Sequence, residues 1–198
     1  MDMHAETSSR NVVVIGGSHG AVEVLRTLLG ELPHDFQAAI LVVIHSGPSS
    51  PGYLASILDR YSTLPVAYAL EGESVQPGRV YLAPADKHME IVAPGQIHLS
   101  DGPKVRHSRP AADRLFETAA KVFGDRVVSL ILSGGDSDGT DGANAVIAAG
   151  GLSMVQEPQD ALVPSMPINV IQRDHPRAVL NKADMGSVLI KAVSGLLL

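Results

Sequence analysis

The segment Gly16-Gly17-Ser18-His19-Gly20 has the spacing G-x-S-x-G, with a β-branched run before it and an apolar helical period after it. A serine on so sharp a turn presents its hydroxyl at a helix N-terminus, where backbone N–H groups can hold an oxyanion. The same residues also fit a glycine-rich strand-to-helix turn capped by Ser18, and the motif alone leaves both readings open. A dinucleotide fingerprint would need glycine at position 18 and an acid after the second strand, where Ser18 and His45 stand instead. A serine hydroxyl needs a base. His45 ends the run Leu41-Val42-Val43-Ile44, and in a parallel sheet that strand end opens on the same edge as Ser18. An imidazole there can take the hydroxyl proton near neutral pH.

The third requirement is a carboxylate to orient the imidazole. Asp136, Asp138 and Asp141 lie in one loop after the apolar run 127–132, and residue type leaves all three open. The stretch Asp136-Ser137-Asp138-Gly139-Thr140 resembles the D-x-D-G-T signature of aspartyl-phosphate phosphatases, but Ser133-Gly134-Gly135 separates it from its strand. An EF-hand loop would need an acid or Asn at 140 and glycine at 141, and has neither. His88, His98 and His107 show no metal-ligand spacing and read as surface residues. His34 and His175 adjoin loop prolines and carry no signal. Arg109, just before Pro110, is a helix-start surface charge or a clamp for an acidic substrate.

The elements that must position these residues follow from apolar patterning. Residues 11–15, 36–44 and 127–132 read as strands buried on both faces, with 66–69 and 152–156 as further strands. Residues 21–29, 52–61, 111–123, 142–149 and 186–198 carry helical period. Strand and helix alternating in this order predict parallel pairing with right-handed crossovers. Short segments at 80–83, 88–93 and 96–99, with a turn at Ala93-Pro94-Gly95-Gln96, predict a local antiparallel excursion.

Composition narrows the classes. Cysteine is absent, which removes disulfides, thiolate metal sites and thiol nucleophiles. A net charge of −6, no Trp, four Tyr and three Phe lack the footprint of a nucleic-acid binder. The longest apolar run, 38–44, is too short to span a membrane, and the first ten residues lack a signal-peptide pattern. A soluble, cytoplasmic, single-domain protein is expected, with an N-terminal tail over 1–10 and the domain over 11–198.

Taken together these motifs resemble the catalytic domain of CheB-type protein-glutamate methylesterases, over nearly the whole chain. The resemblance is carried by Val14-Ile15-Gly16-Gly17-Ser18, Val43-Ile44-His45, the stretch from Gly78 to Met89, Ser108-Arg109-Pro110-Ala111-Ala112-Asp113, Leu115-Phe116, Leu130-Ile131-Leu132-Ser133-Gly134, Asp138-Gly139 and Ser165-Met166-Pro167. It implies a three-layer αβα, Rossmann-like, doubly wound and mostly parallel sheet with an antiparallel hairpin. It implies a triad of Ser18 as nucleophile, His45 as general base and acid, and Asp138 as orienting carboxylate, and so selects Asp138 among the three acids. The N–H groups of His19 and Gly135 are the implied oxyanion donors. Arg109 is the candidate substrate contact, and no cofactor or metal is implied.

The implied reaction is hydrolysis of γ-glutamyl methyl esters, with deamidation of glutamines, on the cytoplasmic helices of methylated chemoreceptors or a related protein. No nucleic acid or membrane insertion is implied. The rival readings are a non-catalytic binding module and an esterase for another substrate on the same fold. The family usually has Thr and two Gly after the serine, where this chain has His19, Gly20 and Ala21. Its Asp loop usually reads Gly-Met-Gly before a variable residue and the Asp, where this chain has Gly134-Gly135-Asp136-Ser137-Asp138. The ten residues before the strand that begins at Asn11 cannot hold the receiver domain common in the family, so phosphorylation control in cis is expected to be absent.

Overall fold

The computed structural model of the chain describes residues 10–196. Apart from Arg10, the expected N-terminal tail lies outside the described residues, as do the last two residues of the expected closing helix.

Seven strands form one sheet in the order β3-β4-β2-β1-β7-β8-β9, and every pairing in it is parallel. They are β1 (Val12–Gly17), β2 (Ala39–Ile44), β3 (Val66–Tyr68), β4 (Val80–Leu82), β7 (Val127–Ile131), β8 (Leu152–Gln156) and β9 (Ala178–Leu180). The remaining two, β5 (His88–Val92) and β6 (Gln96–Ser100), pair antiparallel as a separate hairpin. The helices are α1 (Ala21–Glu31), α2 (Leu54–Asp59), α3 (Ala112–Phe123), α4 (Thr140–Ala148), α5 (Ser165–Asp174) and α6 (Met185–Val193).

The sheet is a layer between two helix layers, and residue alternation explains why β1 and β2 read as unbroken apolar runs. Val13 and Ile15 of β1, with Ile40 and Val42 of β2, face one core with Leu25, Leu28 and Leu29 of α1 and Leu189 of α6. Val12 and Val14, with Leu41 and Val43, face the other core with Leu115 and Phe116 of α3, Val146 of α4 and Met166 of α5. Both faces are covered, so every position is apolar. The hairpin extends the second core through Met89, Ile91 and Ile97.

Three expectations are corrected. β1 does not stop at Ile15 but runs through both glycines, because Gly16 pairs with Val43 and Ile131 and Gly17 pairs with Ile44. The segment 80–83 is not part of the antiparallel excursion: β4 lies between β3 and β2 in the parallel sheet. His88 is no surface residue. It is fully buried, its Nε2 bonded to the Pro103 carbonyl (3.0 Å) and its Nδ1 accepting the Ala111 N–H (3.2 Å). Two elements, α5 and β9, have no counterpart in the sequence reading.

Gly16 is where α3 meets the sheet. A Cβ there would stand 2.6 Å from the Ala112 Cβ and 3.0 Å from the Ile131 Cδ1. The Ala112 Cβ cannot yield without moving the start of α3. Gly16→Ala is expected to destabilise the fold by about 1–3 kcal/mol, read as a lower denaturation midpoint at unchanged m-value.

Candidate active site

The sheet's ladder continues one residue beyond β1 and β2. Ser18 N–H donates to the Ser133 carbonyl (2.9 Å), and His45 N–H donates to the Gly17 carbonyl (3.1 Å). Because Gly17 pairs with Ile44, Ser18 and His45 are the next residues on neighbouring strands, their Cα atoms about 5 Å apart. The chain then turns at Gly20, whose φ of 89° is a left-handed conformation that favours glycine, and α1 begins. Ser133 fastens this turn from β7: its hydroxyl donates to the His19 carbonyl (2.7 Å) and accepts the Val163 N–H (2.9 Å). Gly134 lies against the serine, the position of its missing Cβ being 3.1 Å from the Ser18 Cβ.

Among the described residues the Ser18 hydroxyl makes no hydrogen bond, and the N–H groups of His19 and Gly135 have no protein acceptor. His19 and Gly135 are both exposed. The turn therefore offers a free hydroxyl, and the loops beside it carry two backbone N–H groups without a protein acceptor; unpaired backbone donors are the groups that oxyanion stabilisation uses.

His45 Nε2 lies 2.7 Å from Asp138 Oδ2. Asp138 is fully buried. Its Oδ2 also accepts the Ala112 N–H (2.6 Å), and its Oδ1 accepts the N–H groups of Asp113 and Gly139 (2.9 Å each). One carboxylate thus caps α3 and holds the imidazole. Burial pushes its pKa up, but the His45 hydrogen bond and the N–H groups of Asp113 and Ala112 outweigh burial and hold it below the usual carboxylate range. Beside it, burial and the Asp138 charge push Asp113 up to about 7, against the opposing Gly142 N–H and Arg106. Of this buried pair Asp113 takes up a proton first as pH falls, and Asp138 keeps its charge to lower pH.

With Nε2 donating to Asp138, Nδ1 is the nitrogen left to act as a base. Asp136 Oδ2 lies 3.5 Å from it. Burial pulls the His45 pKa down, but the Asp138 hydrogen bond and the charges of Asp138, Asp136 and Asp113 raise it above its ordinary value. A raised pKa keeps the imidazole protonated, and so unable to accept a proton, up to a higher pH. Asp136→Asn removes one of those charges without removing the Asp138 bond. At 3.5 Å a charge pair is worth about 1 kcal/mol in a water-like dielectric, and the side chain of Asp136 is partly exposed. The acid limb of kcat/KM is therefore expected to move about 0.5–1 pH unit lower in this variant. A full pH–rate profile checks this, and a limb that stays put or moves up contradicts it.

The three loop acids thus have three different partners: Asp138 meets Nε2, Asp136 faces Nδ1, and Asp141 pairs with Arg106. Arg106 also reaches Asp113 (3.3 Å) and the Ser137 hydroxyl (3.0 Å), which ties down both sides of the Asp138 loop. Neither Arg106 nor Asp113 was singled out for a role from sequence. The available signal was a carboxylate within the apolar face of a helix, Asp113 among Ala112, Leu115 and Phe116. Arg109 lines a cleft of about 310 Å³ that opens on His45. Its Nε and Nη2 donate to Asp86 Oδ1 (3.0 and 2.8 Å), and its Nη1 donates to the carbonyls of Asp101 and Gly102 (3.0 Å each). The guanidinium is neutralised and braces the loop.

The chain is similar to known proteins over most of its length. The family model described as CheB methylesterase matches residues 13–189. A Methanosarcina mazei protein named protein-glutamate methylesterase/protein-glutamine glutaminase 2 is 36% identical over 96% of this chain and 54% of its own length. A Leptospira interrogans protein named as a putative enzyme of the same kind is 35% identical over 90% of this chain and 93% of its own length. The chain spans about half the length of the Methanosarcina relatives it matches. The crystal structure of the Thermotoga maritima CheB methylesterase catalytic domain superposes with a TM-score of 0.88 at 35% identity, covering 92% of this chain and 98% of that one.

Proposed function

The chain belongs to the CheB methylesterase family, and on that premise we propose that it is a serine hydrolase that removes methyl groups from γ-glutamyl esters on chemoreceptor-like proteins in chemotaxis signalling. Its catalytic domain is residues 11–198, and it acts in the cytoplasm on the receptor's cytoplasmic helices. The observation that carries this reading is the 2.7 Å contact from His45 Nε2 to the buried Asp138, with Ser18 on the adjacent strand end.

Ser18 Oγ attacks the ester carbonyl while His45 Nδ1 takes its proton. The carbonyl oxygen becomes an oxyanion facing the N–H groups of His19 and Gly135. Asp138 stabilises the imidazolium through Nε2. The intermediate collapses, the C–O bond to the methoxy group breaks, and His45 returns the proton so that methanol leaves. Water, deprotonated by His45, then attacks the acyl-enzyme, which releases glutamate and restores Ser18. A glutamine side chain follows the same course with ammonia as the leaving group.

The test is methanol release from a methylated receptor fragment, intact chain against Ser18→Ala. Equal rates in the two reject the reading. Among the described residues no helix is long and apolar enough to cross a membrane.

A further inference from the structure

Three successive N–H groups at the start of α3 are taken up by side chains from elsewhere in the chain. Ala111 N–H donates to His88 Nδ1 (3.2 Å), Ala112 N–H to Asp138 Oδ2 (2.6 Å) and Asp113 N–H to Asp138 Oδ1 (2.9 Å). A helix has no acceptors of its own for its first N–H groups. A buried imidazole and the carboxylate that holds His45 therefore cap α3 side by side. Because Nδ1 accepts, the ring proton of His88 is on Nε2, which donates to the Pro103 carbonyl (3.0 Å). One ring thus ties the loop after β6 to the residue that opens α3.

His88 comes from β5, in the hairpin outside the seven-stranded sheet. The hairpin is fastened to α3 at two further levels. Arg114 Nε and Nη2 donate to Glu90 Oε1 (3.0 and 2.7 Å), and Ile91 N–H donates to the Thr118 hydroxyl (3.0 Å). Of these ties, the one at His88 is next in sequence to the N–H groups that meet Asp138. His88 is fully buried, so it can act on the reaction only through another group.

We propose that His88 is a positioning residue: it fixes the first turn of α3 so that the Ala112 and Asp113 N–H groups meet Asp138, and so sets how firmly Asp138 holds the proton of His45. It concerns the same site as the hydrolase reading above and rests on that reading for its effect on rate. The N–H groups of Asp113 and Ala112 draw on the negative charge of Asp138. A first turn displaced from Asp138 leaves that charge shared among fewer donors. The His45 imidazolium is then better neutralised, and it keeps its proton to higher pH.

Two variants separate the two bonds of the ring. In His88→Asn the amide oxygen stands as far from Cβ as Nδ1 does, and can accept from Ala111. In His88→Gln the amide lies one bond further out, in the place of Nε2, and serves Pro103 instead. Each variant keeps one buried hydrogen bond and loses the other, so similar losses of stability are expected. The His45 pKa is read by NMR titration of its ring protons, and kcat and KM by methanol release. Asp138, Asp136 and Asp113 act on His45, and Lys104, His107 and Arg109 line the cleft on which it opens; all six are the same in both variants.

His88→Gln is expected to raise the His45 pKa by about 0.5 unit and to lower kcat about tenfold at nearly unchanged KM. His88→Asn should stay close to the parent chain in both. Should one variant not fold, the other decides alone against the parent. Equal shifts in the two variants, a larger shift in His88→Asn, or no shift in His88→Gln overturns the proposal. The expected order of His45 pKa values, in a chain whose methanol release is unaffected by Ser18→Ala, supports the proposal and rejects the hydrolase reading alone.

Discussion

Ser18→Ala is expected to lower methyl-ester hydrolysis by about 10⁶-fold, the scale on which removal of a serine nucleophile acts when base and oxyanion donors remain. The magnitude follows from what stays behind. His45 and Asp138 keep their 2.7 Å contact, and the N–H groups of His19 and Gly135 keep their positions, but no atom is left to form the acyl bond. Residual hydrolysis then depends on water attacking directly, aided by binding and the backbone donors. The fold is not the cause of the loss. Among the described residues the Ser18 hydroxyl makes no hydrogen bond, so its removal leaves no buried partner orphaned. Stability within about 0.5 kcal/mol of the parent chain, measured by denaturant unfolding, separates chemistry from folding. A variant that retains a substantial fraction of the rate would show that Ser18 is not the nucleophile.

The second large effect is expected at Asp138. Asp138→Asn keeps the shape of the side chain and removes its charge. The carboxylate accepts from His45, Ala112, Asp113 and Gly139, and an amide has only one oxygen to offer. With that oxygen kept by Asp113 and Gly139, the NH₂ group faces Ala112 N–H and His45 Nε2. The imidazole relieves the conflict by moving its proton to Nδ1, so that Nε2 accepts from the amide. Nδ1 is then no longer a base, and Ser18 cannot be deprotonated. A wrong tautomer of this kind costs about 10⁴-fold in kcat.

The same substitution strips a charge from the start of α3 and leaves Ala112 N–H unpaired. Together these are expected to cost about 1–3 kcal/mol of stability. The sign with pH follows from Asp138, whose pKa is held below its ordinary value. Its contribution to stability is present above the unfolded carboxylate pKa and is lost as pH falls through the folded one. The gap in stability between parent and variant should therefore close on acidification. Rates and unfolding curves measured on one preparation check both halves.

The parts of the fold that could be read from sequence are those whose environment is uniform. β1, β2 and β7 are buried on both faces, so each announces itself as an apolar run, and Ser18 and His45 stand out because each follows such a run. β4 is different. Its Val-Tyr-Leu sits between Pro77-Gly78 and Pro84, next in sequence to a hairpin. Nothing local says whether it pairs with β5 or with β2, and tertiary pairing decides. β9 has three residues, one of them exposed, and α5 has Pro167 in its first turn, so neither carries a full period. At the site, three acids within six residues are chemically alike. Only the approach of α3 distinguishes Asp138 by aiming the N–H groups of Ala112 and Asp113 at it. The pairing of Arg109 with Asp86 joins residues 23 apart in sequence, which no spacing rule reports.

The meeting of Asp138 with His45 also bears on when the site comes into being. β1, α1 and β2 are consecutive, and once paired they set Ser18 beside His45. The carboxylate arrives from 93 residues further along the chain, and loop closure over such a distance must precede any reward from the contact. A chain arrested with only its first half folded holds a serine and an unsupported imidazole. The His45–Asp138 contact therefore exists only in a chain in which β7 has paired with β1 and α3 has met the loop that follows β7.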